Sequence, residues 1–394
     1  MNVNEEWRVA LRVIDKIERA GFEAVIVGGA VRDFLLDRTV NDVDVATSAL
    51  PSEVKQIFSA TVDVGIEHGT ILVLDEGEPI EVTTYRTEGT YTDYRRPEEV
   101  TFVRSLEQDL ERRDFTINAM AIKKDGTIID LFGGKQDIEQ KVIRAVGNAT
   151  VRFREDALRM LRAIRFSAQL GFSIEQKTLE AIKVDSDLID FIANERIAME
   201  MAKMWKSDYV YNGLRLLIDS RLARYLVGNF PEQINQWKQF KTAKPEVGWA
   251  YLCLLNRQDF QKIADFYHFS RKEKTFIRDV LNAYDALQSK WTAMDYFSTN
   301  LDVLETAYDF AIWQNLDVPF AKESIQKVKN SLPIQSRDQL AINGNDLIAW
   351  TSRKKGPWIK VALDAAIIAV LHGYTENNAE NLKEWFLNDF INER

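Results

Sequence analysis

Cysteine is almost absent from this chain, with one residue, Cys253, in 394. A lone thiol cannot form an internal disulfide, so a reducing cytoplasm is the expected location. Histidine is nearly as scarce. His68, His268 and His372 are scattered, and a zinc centre needs clustered Cys or His ligands, so none is expected. Eight prolines and eighteen glycines leave little material for long flexible linkers. No long apolar run is present. The longest, Ala362 to Leu371, contains Asp364 and is too short to cross a bilayer. Glu5, Glu6 and Arg8 stand where a signal peptide needs apolar residues, so neither export nor a membrane is expected. No obligate protein partner is evident.

What remains has a globular composition, 46% hydrophobic and 28% charged. A chain of 394 residues is too long for one ordinary core, and about two to four domains are expected. The net charge of −9 argues superficially against a nucleic-acid partner. Charge is segregated, however. Lys141, Arg144, Arg152, Arg154, Arg159, Arg162 and Arg165 fall close together, opposed only by Glu155 and Asp156. Such a stripe is the footprint expected for phosphates, or else a solvated helix face.

The apolar positions Trp7, Leu11, Ile14 and Ile17 have helical spacing, which predicts an amphipathic helix over 4–20. Strands are expected near 23–27, 42–47, 70–75, 79–85, 100–104, 119–123 and 127–131, with a Thr-, Gly-, Tyr- and Arg-rich loop over 86–99. Beyond about residue 136 helical periodicity dominates. The predicted fold is a small α/β head with a mixed sheet, followed by an all-α half. Val184 to Asp187, Asn229-Phe230-Pro231, Pro333 and Asn343-Gly344-Asn345 mark breaks between helices.

Gly28-Gly29-Ala30-Val31-Arg32-Asp33 follows an apolar strand and opens a helix, and Asp42-Val43-Asp44 follows in turn. Backbone N–H groups at the turn, with Arg32, suit an anion. Strand alternation would put Asp42 and Asp44 on one face, where two carboxylates repel unless a hard cation sits between them. A triphosphate with Mg²⁺ satisfies both halves. In Arg112-Arg113-Asp114, guanidiniums suit phosphates and the carboxylate a hydroxyl. A helix is predicted over about 154–170, with Leu158, Leu161, Ile164 and Ala168 as its apolar stripe and Asp156 and Arg159 facing the same way. By itself such an Asp–Arg pair is usually a weak surface salt bridge.

Five ordered blocks carry a family resemblance. They are Gly28 to Thr47, Arg112 to Ala121, Asp130 to Asp137, Glu155 to Phe166, and Glu195-Arg196-Ile197. The glycine turn with its D-x-D resembles the polymerase-β-like nucleotidyltransferases, and the set is similar to the class II CCA-adding enzymes, strongly over about 20–205 and less beyond. The resemblance implies addition of C, C and A to the tRNA 3′ end from CTP and ATP, with two Mg²⁺ ions. It implies catalytic Asp42, Asp44 and Glu81, the first two binding metal. It implies nucleotide contacts by Gly28, Gly29, Arg32, Arg112, Arg113, Asp114, Asp156, Arg159, Arg162 and Arg165, with Asp114 on the ribose 2′-hydroxyl. It implies that Asp156 and Arg159 read the base. Cytosine and adenine each present an amino donor beside a ring-nitrogen acceptor; Asp156 would accept from the first and Arg159 donate to the second, whereas uracil and guanine would leave both mispaired. A flexible loop with Glu88, Gly89, Asp93 and Arg95 would switch C to A addition. Lys354, Lys355 and Lys360, at a basic turn into a helix, would grip the tRNA acceptor stem and elbow by shape. The expected division is a catalytic head at 1–138, a neck for base recognition at 139–205, a body at 206–300 and a tRNA-binding tail at 301–394. Alternatives are a bacterial poly(A) polymerase, a CC-adding enzyme that stops before A, or a non-catalytic RNA-binding protein.

Overall fold

The computed structural model describes residues 5–40, 42–89 and 100–390. The chain forms two compact units, residues 1–245 with 261–268, and residues 246–260 with 269–394.

The first unit begins with α1 (Glu5–Arg19), which buries Trp7, Val9, Ala10, Val13, Ile14 and Ile17. Its acidic first turn and basic last turn match the helix dipole. Strands β1 (Ala24–Val27) and β2 (Asp44–Thr47) flank α2 (Gly29–Leu35). After α3 (Pro51–Ile57), which has proline in its first turn, come β3 (Thr61–Gly65), β4 (Thr70–Asp75) and β5 (Glu78–Thr84). A separate hairpin pairs β6 (Arg86–Glu88) with β7 (Val100–Phe102). Helix α4 (Leu106–Glu111), capped by Ser105, leads to β8 (Met120–Ile122) and β9 (Ile128–Asp130).

The seven-stranded sheet runs β3-β4-β5-β2-β1-β8-β9. Only β2 and β5 pair in parallel, with Val45 opposite Val82. Every residue of β1 is buried, as befits a strand paired on both edges near the middle of a sheet. The mixed sheet with helices is the expected α/β head. Strand β3 was not anticipated. It lies at the sheet edge with Val62 and Val64 about half exposed, so a hydrophobic pattern alone does not mark it as buried structure.

Helices then dominate: α5 (Gly134–Gln140), α6 (Ala149–Glu155), α7 (Leu158–Leu170), α8 (Gln176–Val184), α9 (Asn194–Trp205) and α10 (Val210–Asp219). Two short parallel strands, Val142–Ile143 and Ser173–Ile174, interrupt the expected all-helical run. The helix predicted over 154–170 is two helices. Asp156 between them is extended, at φ −138° and ψ 102°. Its carboxylate accepts the N–H of Leu158, the first residue of α7, at 3.1 Å, an Asx turn between α6 and α7. Leu158, Leu161, Ile164 and Ala168 are buried as expected.

The second unit is helical. Arg271–Gln288 packs against Leu301–Trp313. Capping boxes at Ser270/Glu273, Thr292/Asp295 and Asn343/Asp346 start three helices. The apolar run at 362–371 lies in the helix Trp358–Leu371, where Ala362, Ala366, Ile367 and Val370 join Leu347, Leu382 and Phe386 in a core. Among the described residues no helix is long and apolar enough to cross a membrane. Cys253 is buried, and burial pushes its thiol pKa up to about 12.

Candidate functional site

Five segments of the first unit converge on one cleft of about 510 Å³. They are the β1–α2 turn, the segment entering β2, the stretch after α4, the start of α7, and α9 at Arg196. Gly28 makes the turn at φ 72° and ψ −133°, a region closed to residues with a Cβ. Its ideal Cβ position lies 3.0 Å from Arg113 Nη1, so the guanidinium packs onto the turn.

Arg32, Arg112, Arg113, Arg159, Arg162, Arg165 and Arg196 line the cleft against Asp42, Asp44, Asp114 and Asp156. The excess of guanidinium suits a polyanion. The basic residues foreseen as a phosphate stripe do not form one surface. Arg144 pairs with Asp137 and Glu175, Arg152 with Glu155, and Arg154 with Asp185. Only Arg159, Arg162 and Arg165 of that stripe turn into the cleft.

Strand β2 starts at Asp44, so Asp42 precedes the strand rather than sharing its pleat. Val43 and Val45 are buried behind the pair. Burial, then the charges of Asp42 and Glu81, push the Asp44 pKa up to about 6, while Arg113 opposes them. Glu81 is exposed on β5, beside β2, and acts on Asp44 through its charge; it is not part of the cleft wall. Among the described residues no three acidic, His or Cys groups form a metal cluster. The donor chemistry nevertheless fits a hard divalent cation. Asp42 and Asp44 offer oxygens only, and burial, with the charges of Asp42 and Glu81 added, disfavours the ionised Asp44, a cost that a bound cation would offset. Mg²⁺ commonly needs only one or two carboxylates besides water and substrate oxygens.

Most other polar groups are already engaged. Asp114 Oδ2 accepts from Arg162 Nε at 2.8 Å and Nη2 at 2.5 Å, while Oδ1 accepts from the Phe115 N–H and Asn118 Nδ2. Burial would raise the Asp114 pKa, but Arg162 and Asn118 hold it well below the usual carboxylate range. Arg32 donates to Asp33 and Asn118. Arg159 turns toward Glu155 and the segment after α4. It donates to Glu155 Oε2 at 2.7 Å and to the Arg112 carbonyl at 3.0 Å. Asp156 is clasped by Arg196. Phe166 has Arg165 over its ring at 3.8 Å, Arg32 at 5.1 Å and Arg162 at 5.4 Å, fixing three guanidiniums around one aromatic. By contrast, Arg113 Nε is buried without a hydrogen-bond partner.

Three family models cover most of the chain: "Poly A polymerase head domain" over 24–144, "Probable RNA and SrmB- binding site of polymerase A" over 171–235, and "tRNA nucleotidyltransferase domain 2 putative" over 240–386. A CCA-adding enzyme of Bacillus cereus is 39% identical over 391 residues, spanning 97% of this chain and 98% of that one. This chain belongs to the CCA-adding enzymes. The Bacillus cytotoxicus CCA-adding enzyme is 42% identical over 393 residues, with 97% of this chain and 98% of that one covered. The crystal structure of the Bacillus stearothermophilus CCA-adding enzyme in complex with CTP superposes with a TM-score of 0.89 at 38% identity, covering 99% of both chains. Matches of this length do not favour a poly(A) polymerase, a CC-adding enzyme or a non-catalytic RNA-binding protein.

The cleft of this CCA-adding enzyme gathers Asp42, Asp44 and all ten residues expected to contact nucleotide. Glu81 stands outside it. Asn118, Phe166 and Arg196 also line it, and sequence reasoning passed over them although all three lie within its motif blocks. Their roles depend on neighbours up to 86 residues away, such as Arg32 for Asn118. Glu88 ends β6 and Gly89 follows it, whereas Asp93 and Arg95 lie outside the described residues. Lys354, Lys355 and Lys360 are exposed in the second unit, at the turn before and the first turn of Trp358–Leu371.

Proposed function

We propose that this cleft transfers nucleotides from CTP and ATP to the 3′ end of tRNA, adding C, C and A in turn. The observation that carries the reading is the union of paired Asp42 and Asp44 with seven arginines in one cleft of a CCA-adding enzyme. The terminal 3′-hydroxyl attacks the α-phosphate, the bond to the β-phosphate oxygen breaks, and pyrophosphate leaves. Asp42 and Asp44 would hold two Mg²⁺ ions, which supply a more acidic attacking hydroxyl and charge neutralisation at the phosphates. Asp44 must be ionised for this role, and Glu81 tunes it through charge.

Arg112 and Arg113 bind the triphosphate over the Gly28-Gly29 turn, with Arg32 and Arg165 completing the positive wall. The packing of the Arg113 guanidinium onto that turn supports the role. Asp114 can meet the ribose 2′-hydroxyl by exchanging one of its Arg162 bonds, which leaves Arg162 available to the incoming nucleotide. Asp156 and Arg159 select the base. Their partners Arg196 and Glu155 hold them in advance, so little ordering is left to binding. The loop between β6 and β7 switches C to A addition. Lys354, Lys355 and Lys360 hold the tRNA through its backbone.

In functional terms the head spans 1–138, the neck 139–205, the body 206–300 and the tail 301–394. Compactness divides the chain within that body. A cytoplasmic location accords with the single buried thiol.

The test is to incubate the protein with tRNA lacking CCA, supplying each labelled nucleotide alone and then together. CTP alone should extend the tRNA by two residues, CTP with ATP by three, and UTP or GTP by none. Extension with ATP alone into a long tail would refute the reading.

A further inference from the structure

Asp109 belongs to α4, is only 1% exposed and lies outside the cleft lining. An unpaired carboxylate in such a place is costly, yet here both oxygens are used. Oδ1 accepts from Arg112 Nε at 3.0 Å and Nη2 at 2.7 Å, and Oδ2 accepts from Arg113 Nη2 at 3.1 Å. Oδ1 also accepts the backbone N–H of Arg86, the first residue of β6, at 3.4 Å. Burial would raise the Asp109 pKa, but Arg113 and Arg112 outweigh it and keep the group ionised.

Arg112 and Arg113 both face the cleft, and Arg113 lies against the Gly28 turn. Arginine side chains lose substantial rotamer freedom when fixed. A carboxylate behind the cleft that fixes them beforehand removes that cost from ligand binding. Geometry limits Asp109 to this indirect role, because it does not reach the cleft surface.

We propose that Asp109 is a positioning residue for nucleotide binding: from behind the cleft it fixes the Arg112 and Arg113 guanidiniums and ties them to the first residue of the β6–β7 hairpin. This rests on the reading that Arg113 contacts the triphosphate. Two consequences follow from the shared anchor. Nucleotide affinity depends on a residue that touches no nucleotide, and loosening the arginines also loosens the start of β6.

The experiment compares Asp109→Asn, Arg113→Ala and the double variant, using CTP, ATP and tRNA lacking CCA. Asp109→Asn should raise KM for both nucleotides about tenfold, with kcat and the tRNA KM within about twofold of the parent. Adding Asp109→Asn to Arg113→Ala should change nucleotide KM less than about twofold, because the residue it positions is gone. Amide exchange over residues 86–88 should accelerate in Asp109→Asn. A full tenfold effect in the Arg113→Ala background, an unchanged nucleotide KM, or unchanged exchange would overturn the proposal. If Arg113→Ala alone leaves nucleotide KM unchanged, the triphosphate assignment fails and this proposal fails with it, a result visible in that single variant. Should Asp109→Asn not fold, Asp109→Glu decides, since it keeps the charge and displaces it. A raised nucleotide KM with normal tRNA KM supports the proposal, and an unchanged nucleotide KM overturns it.

Discussion

Arg196 clasps Asp156 with two parallel hydrogen bonds, Nη2 to Oδ2 at 2.8 Å and Nη1 to Oδ1 at 3.2 Å, across 40 residues of sequence. Both residues line the cleft. The fork of the guanidinium matches the carboxylate plane, so Asp156 can present its oxygens in only a narrow range of directions.

Base selection should therefore depend on Arg196 as well as on Asp156 and Arg159. Ala at position 156 or 159 should remove roughly 1–3 kcal/mol of discrimination against UTP and GTP per lost contact. Arg196→Ala should have a smaller effect of the same sign. Measuring kcat/KM for all four nucleotides in each variant checks this. Undiminished rejection of UTP in all three variants would make the group scaffold.

Asp42→Ala and Asp44→Ala should each abolish C and A addition together while tRNA binding and the fold persist. Turnover assays with Mg²⁺, beside tRNA binding by filter retention, separate the two effects. Removal of Mg²⁺ by chelation should mimic the variants, and its restoration should rescue only the parent protein.

The Asp44 carboxyl also has a consequence for stability. Its folded pKa of about 6 lies above the ordinary aspartate value of 3.8. Between those values the folded state keeps a proton that the unfolded state has lost, so stability falls as pH rises through this window and stays lower above it. Asp44→Asn should stabilise the metal-free protein at pH 7.5 by roughly 1–3 kcal/mol, and have little effect near pH 4. Denaturant unfolding at the two pH values tests this. In the parent protein, Mg²⁺ binding should weaken below about pH 6 as the Asp44 proton competes.

Gly28→Ala should lower nucleotide affinity at least tenfold. The backbone there sits at φ 72°, and the new methyl would meet Arg113 Nη1 at 3.0 Å. Strain of this kind costs about 1–3 kcal/mol. Isothermal titration with CTP, together with a melting curve, would show both losses; a normal titration would remove the turn from the binding site.

Replacing Lys354, Lys355 and Lys360 together by Ala should weaken tRNA binding and flatten its salt dependence, leaving nucleotide KM unchanged. Binding isotherms at several salt concentrations measure the slope. An unaltered slope would remove this turn from the tRNA contacts.

Local chemistry announced much of this protein. Gly28 had to be glycine for its turn, and the apolar stripe of α1 and the buried residues of β1 follow from periodicity. The two arginines and the aspartate at 112–114 are adjacent in the chain, so their grouping needed no fold to be visible. Short-range reasoning went astray where a side chain changed the backbone. Asp156 reads as part of one helix over 154–170, yet its backbone is extended and its carboxylate takes the Leu158 N–H in a local turn between two helices.

Most helices, the central strands, the glycine turn and the inventory of charge are legible along the chain, because these depend on neighbours a few residues apart; edge strand β3 and the break between α6 and α7 are not. Which charges face the cleft and which are spent in pairs depends on contacts between segments far apart in the chain. Arg144 and Arg154 look no different in sequence from Arg159 and Arg162. Asp137 and Asp185 take the first two away, while Asp114 and Glu155 hold the other two at the cleft wall. A guanidinium's role is set by the nearest carboxylate in space, and that distance is fixed by packing between segments far apart in the chain.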